Sequence, residues 1–175
     1  MTTSARPTIA APLDFLGINY YERVVLQAVP GKEKQLGEFS QWRPPEAQLT
    51  DMGWEVSPDG LFTLLLGVYY NYLPRKIYIT ENGAAYTAAP DADSRINDQR
   101  RIDYIDGHLR AAHRAIQAGV PLAGYYVWSL MDNFEWNSGF AKTFGLIHID
   151  YATQKRAPRA SAYWYGETAR RNGLE

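Results

Sequence analysis

Hydrophobic positions along the chain fall into two patterns. Three short apolar runs stand at Phe15-Leu16-Gly17-Ile18-Asn19-Tyr20-Tyr21, at Ile77-Tyr78-Ile79 and at Gly124-Tyr125-Tyr126-Val127-Trp128-Ser129-Leu130. The middle run has no polar alternation, which predicts a strand covered on both faces, as in a parallel sheet. Strands are expected near 14–20, 76–80 and 123–129. Between them the apolar residues change to spacings of three and four. Leu61, Leu64, Leu65, Val68 and Tyr72 predict one apolar helix face over 58–72, started by Ser57-Pro58-Asp59 and ended by Pro74. Ile102, Ile105, Leu109, Ala112 and Ile116 predict a second helix over 98–118, with Asn97 or Asp98 as cap and Gly119 and Pro121 as the stop. A last helix over 158–171 carries Ala162, Tyr163, Trp164 and Tyr165, after a short strand at 146–149. Residues 1–12 are expected to be irregular. The stretch 27–53, punctuated by Gly31, Gly37, Pro44, Pro45 and Gly53, is expected to be a long loop.

This order of elements implies an α/β fold with parallel strands and helical crossovers. Each apolar run ends in polar residues: Asn19 and Tyr21, then Glu81 and Asn82, then Asp132, Asn133 and Glu135. The C-terminal edge of a parallel sheet is where such folds place their chemistry. A Glu before Asn-Gly is by itself only a surface turn; three strands delivering polar groups to one rim make a site.

The chain has 175 residues, enough for one domain with a core, and 18 basic against 19 acidic side chains. That balance argues against a nucleic-acid or membrane partner held by charge. The absence of cysteine rules out disulfides, a thiol nucleophile and a thiolate metal site, and fits a reducing cytoplasm. Residues 1–11 lack the basic and apolar regions of a signal peptide, and no apolar run reaches membrane-spanning length. His108 and His113 fall on different helix faces without an acidic cluster, so no metal or other cofactor is expected. Five Trp and 13 Tyr serve a core by default, but flat rings also stack on sugars.

Taken together, Leu13-Asp14-Phe15-Leu16-Gly17-Ile18-Asn19-Tyr20-Tyr21, Ile79-Thr80-Glu81-Asn82-Gly83 and the segment from Val127 through Trp128-Ser129-Leu130-Met131-Asp132-Asn133-Phe134-Glu135 to Trp136 resemble the family-1 glycoside hydrolases of the β-glucosidase type. Met52-Gly53-Trp54-Glu55-Val56 and Phe144-Gly145-Leu146 add to the match, which runs from about residue 9 onward. The resemblance implies a partial (β/α)8 TIM barrel, strands six to eight with their helices, as one C-terminal fragment over residues 1–175. It implies retaining hydrolysis of β-glycosides through a glycosyl-enzyme intermediate on Glu81. Asn19 and Tyr21 resemble the polar pair at the end of strand six, with the Tyr21 hydroxyl on the nucleophile. Trp128 would be the platform under the sugar, Glu135 and Trp136 would bind its outer hydroxyls, and Phe144 would line the pocket. Singly, Trp128 reads as core, Glu135 as a solvated loop residue and Asn19 as a satisfied buried amide. A phenol donor on Glu81 fits the chemistry, because it favours the charged form that a nucleophile needs.

The family's general acid/base stands in an Asn-Glu-Pro motif on strand four, and that tripeptide does not occur in this sequence. The family's early Gln and His-Trp sugar contacts are also absent, and a barrel of this class takes roughly 250 residues. Thr143 stands where the family usually has a basic residue. The chain alone is therefore expected to be inactive. Its expected partners are a β-glucoside or related sugar and either a complementing N-terminal barrel fragment or a second copy. The alternatives are a sugar-binding fragment without catalysis and a truncated product that self-associates.

Overall fold

The computed structural model describes residues 11–31 and 38–174. Most of the predicted irregular start, and residues 32–37 of the predicted long loop, lie outside the described residues. Three strands form the central sheet: β1 (Leu16–Asn19), β4 (Ile77–Asn82) and β5 (Leu122–Val127), in the order β1-β4-β5 and all parallel. The crossovers are helices α1 (Pro58–Tyr72) and α2 (Gln99–Gln117), and α3 (Ala160–Arg171) closes the chain. Two antiparallel hairpins stand outside the sheet, β2 (Val25–Ala28) with β3 (Phe39–Trp42) and β6 (Ile147–Asp150) with β7 (Lys155–Pro158). The result is three consecutive β/α units of a (β/α)8 barrel.

The expected loop 27–53 thus contains a strand of the first hairpin and the end of another. The strand signal was missed because these residues are largely exposed and carry no apolar alternation. The short strand expected at 146–149 is β6, and its partner β7 ends at Pro158, so α3 starts two residues later than expected. The helices depart from their apolar stripes. On α1, Leu61 and Leu65 are fully buried, whereas Leu64 and Tyr72 are exposed. On α2 the buried stripe is Arg101, Tyr104, Ile105, His108, Ala111, Ala112 and Ala115, and Ile116 is exposed. Asp98 precedes α2 without capping it through its side chain. Its carboxylate instead receives Arg101 at 2.5 Å and the Ser161 hydroxyl and backbone amide at 2.6 and 2.9 Å.

The sheet is not covered on both faces. Ile18, Ile77 and Ile79 are buried with Leu61, Leu65, Ala112, Ala115 and Val120 between sheet and helices. Burying each aliphatic side chain contributes roughly 1.5–3 kcal/mol. The other face carries Gly17, Tyr78, Gly124 and Tyr126, and Tyr126 is exposed. Tyr78 meets Phe15 edge to face at 5.3 Å, and a methyl group added to Gly124 would come within 2.8 Å of the Tyr78 ring.

One irregularity decides where the rim residues point. β1 pairs with β4 as Ile18 with Ile79 and then Asn19 with Glu81, so Thr80 is an extra residue on β4. Strict alternation would put Glu81 on the same side as Ile77 and Ile79, under the helices. The bulge changes the parity. Thr80 donates to Asn19 Oδ1 at 2.7 Å on the uncovered face, Glu81 turns to Tyr21, and Asn82 is fully buried on the helix side. Bulges next to sites re-aim side chains in this way.

Candidate active site

β1 runs out through Asn19, Tyr20 and Tyr21, whose side chains alternate. Tyr20 goes to the helix side, where its hydroxyl donates to the Ser57 carbonyl at 2.7 Å. Tyr21 faces the rim and donates to Glu81 Oε2 at 2.7 Å. Burial holds the Tyr21 hydroxyl far above its usual ionisation range, and the hydrogen bond and charge of Glu81 add to it. The phenol therefore keeps its proton and remains a donor to Glu81 at any physiological pH.

Behind the pair stands an aromatic wall that the sequence named only in part. Tyr21, Trp54 and Phe144 meet with ring centroids at 5.4, 6.0 and 6.2 Å. Phe144 is buried, so its contact is with the back of Tyr21. Trp54 appeared in the sequence only as part of a matching segment; nothing in its own neighbourhood marked it as a support for Tyr21.

The residues after Glu81 are shaped by close packing. Asn82 accepts the Trp128 backbone amide on its carbonyl at 2.9 Å. A side chain on Gly83 would overlap the Trp128 carbonyl oxygen, so only glycine lets β5 approach here. This holds Trp128 beside the end of β4. The Trp128–Ser129 peptide is cis. Burial raises the Glu135 carboxyl above its ordinary range; the Trp128 side chain, hydrogen-bonded to the carboxylate, works against this, and the charge of Glu81 adds to it. Glu81, Trp128 and Glu135 are thus electrostatic neighbours. Trp136 opens a single 3-10 turn (Trp136–Ser138) and is 80% exposed, with φ at 39°. A non-glycine residue in the left-handed region is uncommon and is found disproportionately at functional sites. Asn19, Tyr21, Glu81, Trp128 and Glu135 are brought to one rim, with Trp136 at its outer edge and Phe144 beneath.

Asp132 is not part of the open site. It is 5% exposed and takes a bidentate ion pair from the buried Arg159, at 3.0 and 2.8 Å. The backbone amides of Gly145 and Ile149 donate to it at 2.9 and 3.3 Å. The sequence offered no pairing for Asp132, because its partner lies 27 residues away. Thr143 donates to the Tyr86 carbonyl at 3.1 Å, while Arg101 donates to the Thr143 carbonyl at 2.7 Å. Among the described residues no group of three or more His, Cys, Asp or Glu side chains could hold a metal ion. Among them, too, no helix is long and apolar enough to cross a membrane.

A carboxylate bonded to a phenol thus stands at the C-terminal rim of parallel barrel strands, beside a Trp and a second carboxylate, and that rim is where barrels of this kind place their chemistry. A model of glycosyl hydrolase family 1 matches residues 1–174, and the chain belongs to that family. It is similar to beta-glucosidase A of Thermotoga maritima, at 44% identity over 167 residues, covering 95% of this chain and 36% of that protein. Thermostable beta-glucosidase B of Thermobispora bispora is 46% identical over 169 residues, covering 95% of this chain and 35% of that one. The solved family 1 β-glucosidase from Thermotoga maritima superimposes with a TM-score of 0.92 at 43% identity, over 98% of this chain and 38% of that one. The same enzyme in complex with deoxynojirimycin gives 0.91. The chain thus spans little more than a third of the length of these relatives.

Proposed function

We propose that this chain carries the nucleophile side of a retaining β-glucosidase site, with Glu81 attacking the anomeric carbon to form a glycosyl-enzyme. The observation that carries the reading is the 2.7 Å hydrogen bond from Tyr21 to Glu81 on the uncovered side of the sheet. The phenol donor fixes the orientation of the carboxylate that would attack. Trp128 offers an apolar plane to the sugar, Glu135 accepts hydrogen bonds from its hydroxyls, Asn19 and Trp136 contact its edge, and Phe144 backs Tyr21.

A retaining enzyme needs a second carboxylic acid about 5–5.5 Å from the first to protonate the leaving oxygen. The family's Asn-Glu-Pro is not in this sequence. General acid catalysis is typically worth 10²–10⁴-fold, and the rest of the pocket supplies positioning as well. The chain alone is therefore expected to give negligible turnover. β1 and β5 end the described sheet, and Phe15 and Tyr126 lie 53% and 56% exposed on its open side. Open edges and uncovered rings favour association with a polypeptide carrying the family's first five strands. Self-association without hydrolysis is the second reading, supported by the same exposed surface.

The test adds such a polypeptide to the purified chain and follows β-glucoside hydrolysis. Hydrolysis should appear on mixing and be abolished by Glu81→Gln. Robust hydrolysis by the chain alone that survives Glu81→Gln would overturn the assignment. A well-behaved monomer in sedimentation at high concentration, indifferent to the added polypeptide, would remove the association.

A further inference from the structure

Asn82 is fully buried one residue beyond Glu81, and the proposed chemistry gives it no task. Both amide protons and the oxygen of its side chain are engaged. Nδ2 donates to the Tyr20 carbonyl at 2.7 Å and to the Tyr104 hydroxyl at 3.1 Å, and Oδ1 accepts the Tyr125 hydroxyl. The Tyr104 hydroxyl, having accepted from Asn82, donates its own proton to the Tyr21 carbonyl at 3.1 Å. Every proton in this set has one direction: Tyr125 to Asn82, Asn82 to Tyr20 and Tyr104, Tyr104 to Tyr21. The Tyr20 and Tyr21 carbonyls, which flank the Tyr21 α-carbon, are thereby held from α2, β4 and β5 at once. The Tyr104 ring is fixed in turn, stacked on the buried His108 at a centroid distance of 4.1 Å.

We propose that Asn82, acting with the hydroxyls of Tyr104 and Tyr125, is the positioning element that holds Tyr21 against Glu81. The proposal rests on the reading of Glu81 as nucleophile for its functional meaning, but its geometry stands apart from turnover. β1 ends at Asn19, so Tyr21 lies beyond the sheet's hydrogen-bonded ladder and depends on other contacts for its place. The site needs two donors and one acceptor in one short planar group. Asn supplies that set; Asp has no donor, Ser has one, and Gln is longer by a methylene. The tripeptide Glu81-Asn82-Gly83 then has three distinct tasks: the carboxylate at the rim, the anchor for its partner phenol, and the space for the Trp128 backbone.

The test uses the full chain with tyrosine labelled at 13Cζ, observed in mixed H2O and D2O, where a slowly exchanging hydroxyl gives a resolved pair of signals. Tyr21→Phe assigns the Tyr21 signal. The Tyr20 hydroxyl, bonded to the Ser57 carbonyl, is the internal reference for intact packing. Tyr104→Phe keeps the ring on His108 but removes the bond to the Tyr21 carbonyl. Asn82→Asp keeps the acceptor for Tyr125 and removes both donors. Exchange of the Tyr21 hydroxyl should be at least about tenfold faster in both variants, with Tyr20 unchanged in Tyr104→Phe, which leaves the Asn82 bond to the Tyr20 carbonyl in place. Unchanged Tyr21 exchange in Tyr104→Phe overturns the proposal, and so does equal acceleration at Tyr20, which would mark general loosening. Should Asn82→Asp fail to fold, Tyr104→Phe decides the matter. Failure here leaves the Glu81→Gln hydrolysis test untouched, and failure of that test leaves this exchange measurement standing.

Discussion

Removing the Asp132 carboxylate should be among the most damaging single changes in the chain. The group is 5% exposed and receives two hydrogen bonds from Arg159, at 3.0 and 2.8 Å, and two from backbone amides, at 2.9 and 3.3 Å. Asp132→Ala leaves the Arg159 guanidinium fully buried, with the Gly145 carbonyl and His148 as its remaining partners. Breaking one side of a buried pair costs about 3–5 kcal/mol. Each orphaned amide adds on the order of 1 kcal/mol, and relaxation of the loop returns part of the sum. A net loss of about 4–5 kcal/mol would consume much of the 5–15 kcal/mol that holds a domain. With a urea slope near 2 kcal/mol/M, the unfolding midpoint should fall by about 2 M, read by Trp fluorescence at low protein concentration. The double change Asp132→Leu with Arg159→Met should recover most of that loss, because no charge is then left unpaired. A midpoint shift below about 0.5 M in Asp132→Ala, or a double variant weaker than the single, would refute this account of the pair.

Two further outcomes follow from buried groups near the site. Burial pushes the His108 imidazole down to about 4, only partly offset by its bond to the Tyr104 carbonyl, so between that value and about 6.5 the unfolded chain binds the proton first. Stability should therefore fall as pH drops through that window, by about 3 kcal/mol in all, and His108→Gln should flatten the slope; equal slopes in both proteins would sink the assignment. Gly83→Ala should cost at least 1–3 kcal/mol, since the new methyl meets backbone rather than a yielding side chain, and should move the Trp128 fluorescence; an unchanged spectrum and midpoint would contradict the close packing there.

The sequence was most informative where one physical signal dominated. Ile77-Tyr78-Ile79 between two helical patterns was enough to place the central strand, and Pro58, Pro74, Gly119 and Pro121 bounded the helices within a residue or two. It was least informative where long-range pairing overrode local pattern. Arg101 and His108 lie in the buried stripe of α2, where Asp98 and the Tyr86 carbonyl take the Arg101 guanidinium and the Tyr104 carbonyl takes His108 Nδ1, and no periodicity of apolar residues could have marked them. The bulge at Thr80 was equally invisible, although it decides whether Glu81 faces the rim or the helices. Of the candidate site, the gathering of Asn19, Tyr21, Glu81, Trp128 and Glu135 at one rim was legible from motif order. Trp54 and the Asn82 network were not, since their roles exist only through partners that chain order keeps far apart.

The uncovered side of the sheet distributes volume across strands. Tyr78 spreads its ring over the place where Gly124 would otherwise carry a side chain, and Gly17 leaves the corresponding space on β1 beside Thr80. Tyr78 and Gly124 thus share one unit of bulk across β4 and β5, while Gly17 makes room for Thr80. Enlarging position 124 is compatible with the fold only together with a smaller residue at 78, so these positions must change as a set.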